Sequence, residues 1–169
     1  RQITKMIEEK LDVKSILQQS AIDFDGGYAL AGLIGHGDAF VLRDPAGIRP
    51  CFWYADDEVV VAASERPAIQ TAFGLKVEQV HELEPGKALI VKKDGSYSTE
   101  EILPPLEKRS CSFERIYFSR GSDMDVYRER IALGRSVCPA ILEMIDHDLE
   151  NTVFSFIPNT AEVACYGML

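Results

Sequence analysis

The sequence predicts an α+β fold in which a mostly antiparallel sheet, covered by helices, precedes a second and more helical region. Three observations lead to this prediction. Short apolar or β-branched runs recur across residues 21–103 between turns rich in Gly, Pro and Asp, as is typical of hairpin-linked strands. Helical periodicity lies in front of these runs and again behind them. Residues 103–109 carry two prolines and a run of charges, which indicates a solvated linker.

Composition indicates a globular protein without a basic surface. The chain has 169 residues, of which 46% are hydrophobic and 27% charged, and its formal net charge is -9. This acidity argues against a nucleic-acid or anionic-membrane surface, since both require clustered basic residues. The sequence shows no apolar run long enough to span a bilayer and no secretory signal pattern. Four cysteines without a C-x-x-C pair fit a reducing compartment, so we expect a cytoplasmic protein.

The first helix and the strands are predicted from periodicity. Residues 1 to about 20 place Ile3, Ile7 and Leu11 on one helical face. The run from Tyr28 to Ile34 is apolar and flanked by glycines, which predicts a buried strand. The strands expected after it are Ala39 to Arg43, Cys51 to Ala55, Glu58 to Ala63, Val77 to Glu82, Lys87 to Val91 and Tyr97 to Ile102.

Turn and cap residues set the boundaries between these elements. Residues 44–47, Asp-Pro-Ala-Gly, have the composition of a β-turn in which glycine takes a positive φ. A short helix is predicted next, with Ser64 as its N-cap and Pro67 in its first turn. This helix is expected to end at Gly74.

Beyond the linker, the sequence predicts strand, helix, strand and helix in turn. Phe113 to Ser119 is a predicted strand. Ser122-Asp123 is predicted to cap a long helix that Pro139 should kink or divide. Asn151 to Ile157 is apolar almost throughout, which predicts a strand buried on both faces of a parallel sheet. A turn at residues 158–161 leads into a last, short helix. The apolar stripe of the long helix is predicted to comprise Tyr127, Ile131, Gly134, Cys138, Ile141 and Ile145.

Several segments, in chain order, carry a resemblance to a known family. They are Gly-Tyr-Ala at 27–29, Ile-Gly-His-Gly at 34–37, Arg-Asp-Pro-Ala-Gly-Ile-Arg-Pro at 43–50, Ala-Ser-Glu at 63–65, Glu-Pro-Gly at 84–86, Cys-Ser-Phe-Glu-Arg-Ile-Tyr-Phe-Ser-Arg at 111–120 and Ile-Pro-Asn-Thr at 157–160. Together they resemble the amidophosphoribosyltransferases from about Asp25 onward. The 43–50 turn also resembles other class II glutamine amidotransferases, whereas the 113–120 segment is more specific.

The resemblance implies a two-domain enzyme of de novo purine synthesis. A glutaminase domain of the N-terminal-nucleophile type, an αββα sandwich, releases ammonia from glutamine. An α/β phosphoribosyltransferase domain adds this ammonia to phosphoribosyl pyrophosphate (PRPP), giving phosphoribosylamine and pyrophosphate. Residues 1–103 then correspond to the later glutaminase domain, 104–112 to the linker and 113–169 to the start of the transferase domain. The complete enzyme is expected to use magnesium with PRPP and to form a homo-oligomer.

The chain departs from the family pattern where the nucleophile would stand. In the family, the nucleophile is an N-terminal Cys whose own α-amino group acts as the base. Arg1 supplies an amine without a thiol, and all the matching segments lie after the elements that clamp glutamine. We therefore expect an interior fragment without a catalytic residue of its own, inactive when alone.

The resemblance assigns site roles to two parts of the chain. Tyr117 matches a position that lines the ammonia route between the two active sites, and Arg120 is expected at the domain junction. The loop Pro158, Asn159, Thr160 and Ala161 matches the region near the pyrophosphate group. Each has a structural alternative: Tyr117 as a packed strand aromatic, Arg120 as a solvated surface residue, and Thr160 as an ordinary helix cap.

Cys111 matches a position that ligates an iron–sulfur cluster in some family members. Such a cluster takes four thiolates, and the matching ligands would lie beyond Leu169. We therefore expect Cys111 to hold no cluster within this chain.

Two alternatives stay open. The chain could derive from another class II amidotransferase, forming glucosamine phosphate or asparagine, although the 117–120 and 157–160 segments argue against this. It could also be a divergent, non-catalytic binding or regulatory module that retains the sheet without the nucleophile.

Overall fold

The computed structural model describes residues 10–169, and the chain falls into two compact units that meet between Cys111 and Ser112. Only the later part of the first predicted helix is present as α1 (Val13–Ser20), capped by the Asp12 side chain. Leu11 precedes this cap and lies outside the helix, and Ile3 and Ile7 lie outside the described residues. Across this described range, no helix combines the length and the apolar content that a membrane crossing requires.

Seven strands in the first unit form two antiparallel sheets. One sheet has the strand order β1-β2-β6-β7, and the other has the order β4-β3-β5. The strands are β1 (Ala29–Leu33), β2 (Ala39–Arg43), β3 (Phe52–Ala55), β4 (Val60–Ala63), β5 (His81–Glu82), β6 (Lys87–Val91) and β7 (Tyr97–Glu101).

Two strand predictions were wrong in part. The first strand is present, but β1 lies at a sheet edge and most of its residues are exposed rather than buried. The predicted strand Val77 to Glu82 begins instead as a 3₁₀ turn, Val77–Gln79, and only His81–Glu82 pairs with β3. Apolar content predicted an extended chain in both places, but the neighbours decide burial and pairing.

The four-stranded sheet is covered on both faces. Leu42, Ala88 and Ile90 point to one face, where they form a buried cluster with Val13 and Leu17 of α1. The opposite face carries residues that pack on the three-stranded sheet, in a cluster of Val41, Leu89, Val91, Trp53, Val60 and Ala62. Burial of this apolar surface is the main stabilising contribution in such a unit.

The second face of the three-stranded sheet is covered by helix α2 (Arg66–Phe73). Phe73 lies 6.1 Å from the ring of Tyr54, and the Arg66 guanidinium lies over the ring of Phe52. Contacts in the first unit therefore run from α1 to the four-stranded sheet, then to the three-stranded sheet and then to α2. Glu65, not Ser64, occupies the N-cap position of α2, whereas the predicted end at Gly74 is confirmed by its φ of 65°.

Two buried charged residues organise the turn at residues 44–47. Asp44 is fully buried, and its carboxylate accepts hydrogen bonds from the backbone N–H groups of Ile48 (2.8 Å) and Arg49 (3.0 Å). The Arg43 guanidinium donates to Gly47 O (3.1 Å) and pairs with Glu82 (2.8 Å). The predicted β-turn is confirmed, since Gly47 N donates to Asp44 O with φ 61° at the glycine.

The exposed segment 103–109, here called the strap, runs along this turn. Leu106 N donates to Pro45 O (2.8 Å), and Arg109 N donates to Ala46 O (2.9 Å). Lys108 adds an ion pair with Glu82 (3.0 Å), so that one carboxylate holds both the strap and the buried Arg43. The segment is solvated as predicted, and its main chain is fixed to the first unit.

The second unit opens with a helix where the sequence predicted a strand from Phe113 to Ser119. Glu114–Phe118 form one turn of π-helix. Phe113 and Tyr117 stack at 5.1 Å, a contact that helical spacing of four residues permits. The strand prediction was wrong because it weighed the β-propensity of Phe, Ile and Tyr above this local pairing.

The rest of the second unit is built around two helices that pack against each other. Asp123 caps α3 (Met124–Met144), as predicted, and α3 runs through Pro139 undivided. Its buried residues are Val126, Arg130 and Gly134, whereas Tyr127 of the predicted stripe is exposed. The contact with α4 (Glu162–Met168) is close, because a Cβ on Gly134 would lie 1.9 Å from Ala164 O.

The predicted buried strand from Asn151 to Ile157 was wrong. The segment forms no strand and makes no strand pairing with the described residues. Val153 and Ile157 are 92% and 83% exposed. A strand needs a neighbour to satisfy its backbone groups, and the described part of the second unit supplies none.

Candidate functional site

One cavity in the second unit collects most of the residues that the sequence predicted for a site. Its volume is about 510 Å³, within the range of small-molecule sites. Two stretches of the chain form its walls, the end of the π-helix and the turn before α4. The lining residues are Tyr117, Phe118, Ser119, Arg120, Gly121, Ser122, Arg130, Asn159, Thr160, Glu162 and Val163.

Tyr117 stands on the aromatic wall of this cavity. It belongs to a cluster in which Phe113 stacks on Tyr117 at 5.1 Å and Phe118 meets both rings edge-on at 5.3 Å. The π-helix ends at Phe118, so Ser119 and Arg120 continue the wall as extended chain. Tyr117 is 62% exposed, which leaves one side of its ring available to a ligand.

The opposite wall is the turn at residues 158–161. Asn159 and Thr160 line the cavity, while Pro158 and Ala161 belong to the same turn without lining it. Ala161, not Thr160, occupies the N-cap position of α4, so the alternative of Thr160 as a helix cap is wrong. The structure thus brings Tyr117 and Arg120 to the same cavity as Asn159 and Thr160.

Arg130 of α3 connects the two walls from behind. Its guanidinium donates to the carbonyl oxygens of Ile116 and Ser119, both at 2.8 Å, and to that of Thr160 at 3.4 Å. The residue is 6% exposed, and its Nε atom is buried without an acceptor. Burial lowers the pKa of Arg130 from its ordinary value, since desolvation disfavours the charged form.

The charge distribution favours an anion in this cavity. Two arginines, Arg120 and Arg130, line it together with a single carboxylate, that of Glu162. The Glu162 carboxylate accepts a hydrogen bond of 2.6 Å from Tyr166. Hydroxyl and amide groups of Ser119, Asn159 and Thr160 add donors suited to phosphate oxygens.

Sequence reasoning missed Arg130. Arginine is almost never fully buried in proteins, so the buried stripe of a helix is predicted from its apolar residues alone, and an arginine is assigned to the exposed face. A signal was present nonetheless: Arg130 lies four residues after Val126 and four before Gly134, the spacing of one helical face.

Cys111 is not among the residues that line this cavity; it is the last residue of the first unit. It is a free, half-buried thiol. Within residues 10–169 the structure forms no group of three or more His, Cys, Asp and Glu side chains that could hold a metal ion.

Comparison with curated proteins gives relatives that agree with one another. The amidophosphoribosyltransferase of Pasteurella multocida is 32% identical over 133 residues, covering 73% of this chain and 26% of that protein. The amidophosphoribosyltransferase of Methanothermobacter thermautotrophicus is 27% identical over 139 residues, covering 80% and 28%. The chain is homologous to the amidophosphoribosyltransferases. The family-model comparison gives no match.

A solved structure of the glutamine PRPP amidotransferase from B. subtilis, complexed with ADP and GMP, matches with a TM-score of 0.68. The match covers 99% of this chain and 36% of that one, at 24% identity, and shows that the α+β fold is shared. The chain spans about a quarter of the length of the curated amidophosphoribosyltransferases that it matches.

Proposed function

We propose that this chain is an interior part of an amidophosphoribosyltransferase-like enzyme of purine synthesis. The enzyme would transfer ammonia from glutamine to PRPP, releasing glutamate, pyrophosphate and phosphoribosylamine. One observation carries the proposal. Two segments far apart in sequence, 117–120 and 159–160, were predicted to serve this chemistry, and they line one cavity in a chain homologous to such enzymes.

We propose that the first unit is the later part of the glutaminase domain. Its support is the order of packing, in which α1 and α2 enclose two antiparallel sheets as the αββα sandwich requires. The turn organised by Arg43 and Asp44 would be a rigid support in that domain. Buried charges are costly unless they are paired and hydrogen-bonded, so the partners that Arg43 and Asp44 have here favour a fixed turn over a mobile one.

We propose that the second unit is the beginning of the phosphoribosyltransferase domain. The turn carrying Asn159 and Thr160 would bind the pyrophosphate of PRPP through side-chain and backbone donors, with Arg120 adding charge. Tyr117 would line the route by which ammonia arrives, because its ring forms the apolar wall opposite that turn. An apolar wall keeps ammonia unprotonated and excludes water during transfer.

The residues fit a magnesium ion that arrives with the substrate. Mg²⁺ is usually held by one or two carboxylates together with substrate phosphates, and the cavity provides the Glu162 carboxylate. The ion would neutralise charge on the leaving pyrophosphate. An iron–sulfur cluster does not fit the described residues, because Cys111 has no companion thiols in a group of ligands.

The proposal is tested in the full-length protein that contains this chain. Phosphoribosylamine formation is measured once with glutamine and once with ammonium chloride, which bypasses the glutaminase. Thr160→Val should raise KM for PRPP in both assays, because a hydrogen bond to a charged group is lost. Tyr117→Ala should reduce the glutamine-driven rate more than the ammonia-driven rate. Thr71→Val, at an exposed position of α2, is the matched control and should change neither.

The 169-residue chain is assayed beside the full-length protein. We expect it to be inert with glutamine, since it spans only about a quarter of the length of the amidophosphoribosyltransferases that it matches. If the well-folded full-length protein forms no phosphoribosylamine with either nitrogen source, the enzyme proposal is wrong and a non-catalytic binding module is the better explanation. If glucosamine phosphate or asparagine is formed instead, another amidotransferase class is indicated.

A further inference from the structure

Arg130 is a buried cation whose charge has no carboxylate partner among the described residues. Its hydrogen bonds all go to neutral oxygens, the carbonyls of Arg115, Ile116, Ser119 and Thr160 and the Ser119 hydroxyl. Removing a charge from water without a counter-ion is strongly destabilising. An anion in the adjoining cavity would restore the balance, because Arg130 itself lines it.

The position of Arg130 also makes it a mechanical link. The carbonyls of Ile116 and Ser119 belong to the end of the π-helix, where intrahelical partners are missing. The carbonyl of Thr160 belongs to the turn on the opposite wall. One planar guanidinium thus fixes the spacing between the aromatic wall and the turn, in a geometry that its rigid fork of donors defines.

We propose that Arg130 is the positioning residue of this cavity: it holds the Thr160 turn against the Tyr117 wall and supplies the fixed positive charge that a phosphate-bearing ligand completes. The inference rests on the proposed function for its ligand class, that of PRPP. Since the same guanidinium bonds to both walls, a phosphate bound at the turn changes the bonds that Arg130 makes to Ile116 and Ser119. Occupancy of the turn is thereby transmitted to the residues around Tyr117.

The test uses the isotopically labelled 169-residue chain and inorganic pyrophosphate, followed by NMR. In the wild-type chain we expect pyrophosphate to shift the backbone amide resonances of residues 159–162 and also those of 116–119. The Arg130 Nε–H resonance should shift with them. Arg130→Met should weaken binding about tenfold or more, because hydrogen bonds and charge at an anion site are lost, and Arg130→Lys should recover part of the affinity.

Arg128→Met is the matched control, an exposed arginine on the same helix, and it should leave binding unchanged. Thermal melting of each variant shows whether it is folded. If Arg130→Met is unfolded, the Arg130→Lys variant and the wild-type Nε–H response still decide the question, since neither depends on that variant. A purely structural arginine would give folded variants with altered stability but no ligand-dependent response at residues 116–119.

The two proposals fail in different ways. If pyrophosphate shifts residues 159–162 while residues 116–119 and Arg130 stay unchanged, the positioning role is refuted and the proposed function stands. The same holds if Arg130→Met binds pyrophosphate as tightly as the wild type. If neither pyrophosphate nor PRPP shifts residues 159–162 in the folded wild-type chain, the ligand assigned to the turn is wrong and both proposals fall.

Discussion

Gly134→Ala should destabilise the second unit, although it improves the helix. In a helix interior, replacing Gly by Ala gains about 1 kcal/mol from backbone entropy alone. At position 134 the new Cβ would lie 1.9 Å from Ala164 O and 2.9 Å from Ala164 C. Both are backbone atoms, so α4 must move by about 1 Å or more to make room. Overpacking of this kind costs about 1–3 kcal/mol.

We therefore expect a net loss of up to about 2 kcal/mol in the free energy of unfolding of the second unit. The assay is urea denaturation followed by circular dichroism at the helical band. Trp53, the single tryptophan, lies in the first unit and reports that unit separately by fluorescence. Ala132→Gly, at an exposed position of the same helix, is the reverse control and should cost about 1 kcal/mol through propensity alone. A Gly134→Ala chain more stable than the wild type by the full propensity gain of about 1 kcal/mol would refute the close packing of α3 on α4.

Three further predictions concern the first unit. Asp44→Asn should lower the free energy of unfolding by about 1–3 kcal/mol, measured by urea denaturation with Trp53 fluorescence. Both carboxylate oxygens accept hydrogen bonds from backbone N–H groups, and the NH₂ group of asparagine would face one of these donors. Asp57→Asn, at an exposed position, is the control and should be neutral. Burial raises the pKa of Glu82, but hydrogen bonds from Arg43 and Lys108 outweigh this effect and hold the pKa below the usual 4.5. The ionised Glu82 carboxylate therefore stabilises the fold above pH 4.5, and this stabilisation is lost as the pH falls through the lowered pKa. Glu82→Gln should flatten the acid limb of a stability–pH profile, and an unchanged profile would contradict the ion pairs. Burial raises the pKa of the Cys51 thiol to about 11. Iodoacetamide at pH 8 should therefore alkylate Cys111 but not Cys51 in the folded chain, and Cys51 should react only after urea is added; mass spectrometry identifies the labelled residues.

The hairpins of the first unit could be predicted because their signals are local. Residues 35–38 contain the turn chemistry of the β1–β2 hairpin, and residues 44–47 contain that of the turn that leads from one sheet to the other. The flanking runs have the strand composition that the two sheets confirm. Which strands would be covered could not be predicted in the same way. β1 has the composition of a buried strand, yet its exposure depends on a position at the sheet edge that only the topology decides.

The two strands predicted in the second unit are absent for a physical reason. Phe113 to Ser119 and Asn151 to Ile157 both have β-type composition, and a strand is stable only with a partner strand at its edge. Without one among the described residues, the first segment forms its hydrogen bonds within a helical turn, and the second forms no regular structure and is largely exposed.

Part of the candidate site could also be predicted, and part could not. The resemblance named Tyr117, Arg120, Asn159 and Thr160, which the structure brings to one cavity. Their roles remain predictions. Arg130 was missed because its function depends on burial, and burial of a single arginine leaves almost no trace in composition.

The strap has a consequence for how its sequence can vary. Its bonds to the turn at residues 44–47 are donated by main-chain amides, those of Leu106 and Arg109. Most side chains could therefore be exchanged at residues 104–109 of the strap while the path of the chain is kept, with Lys108 as the position that adds a charge contact. Proline is the exception at 106 and 109, since it has no N–H to give. In a library of strap variants, we therefore expect folded proteins with many different side chains but none with proline at position 106 or 109.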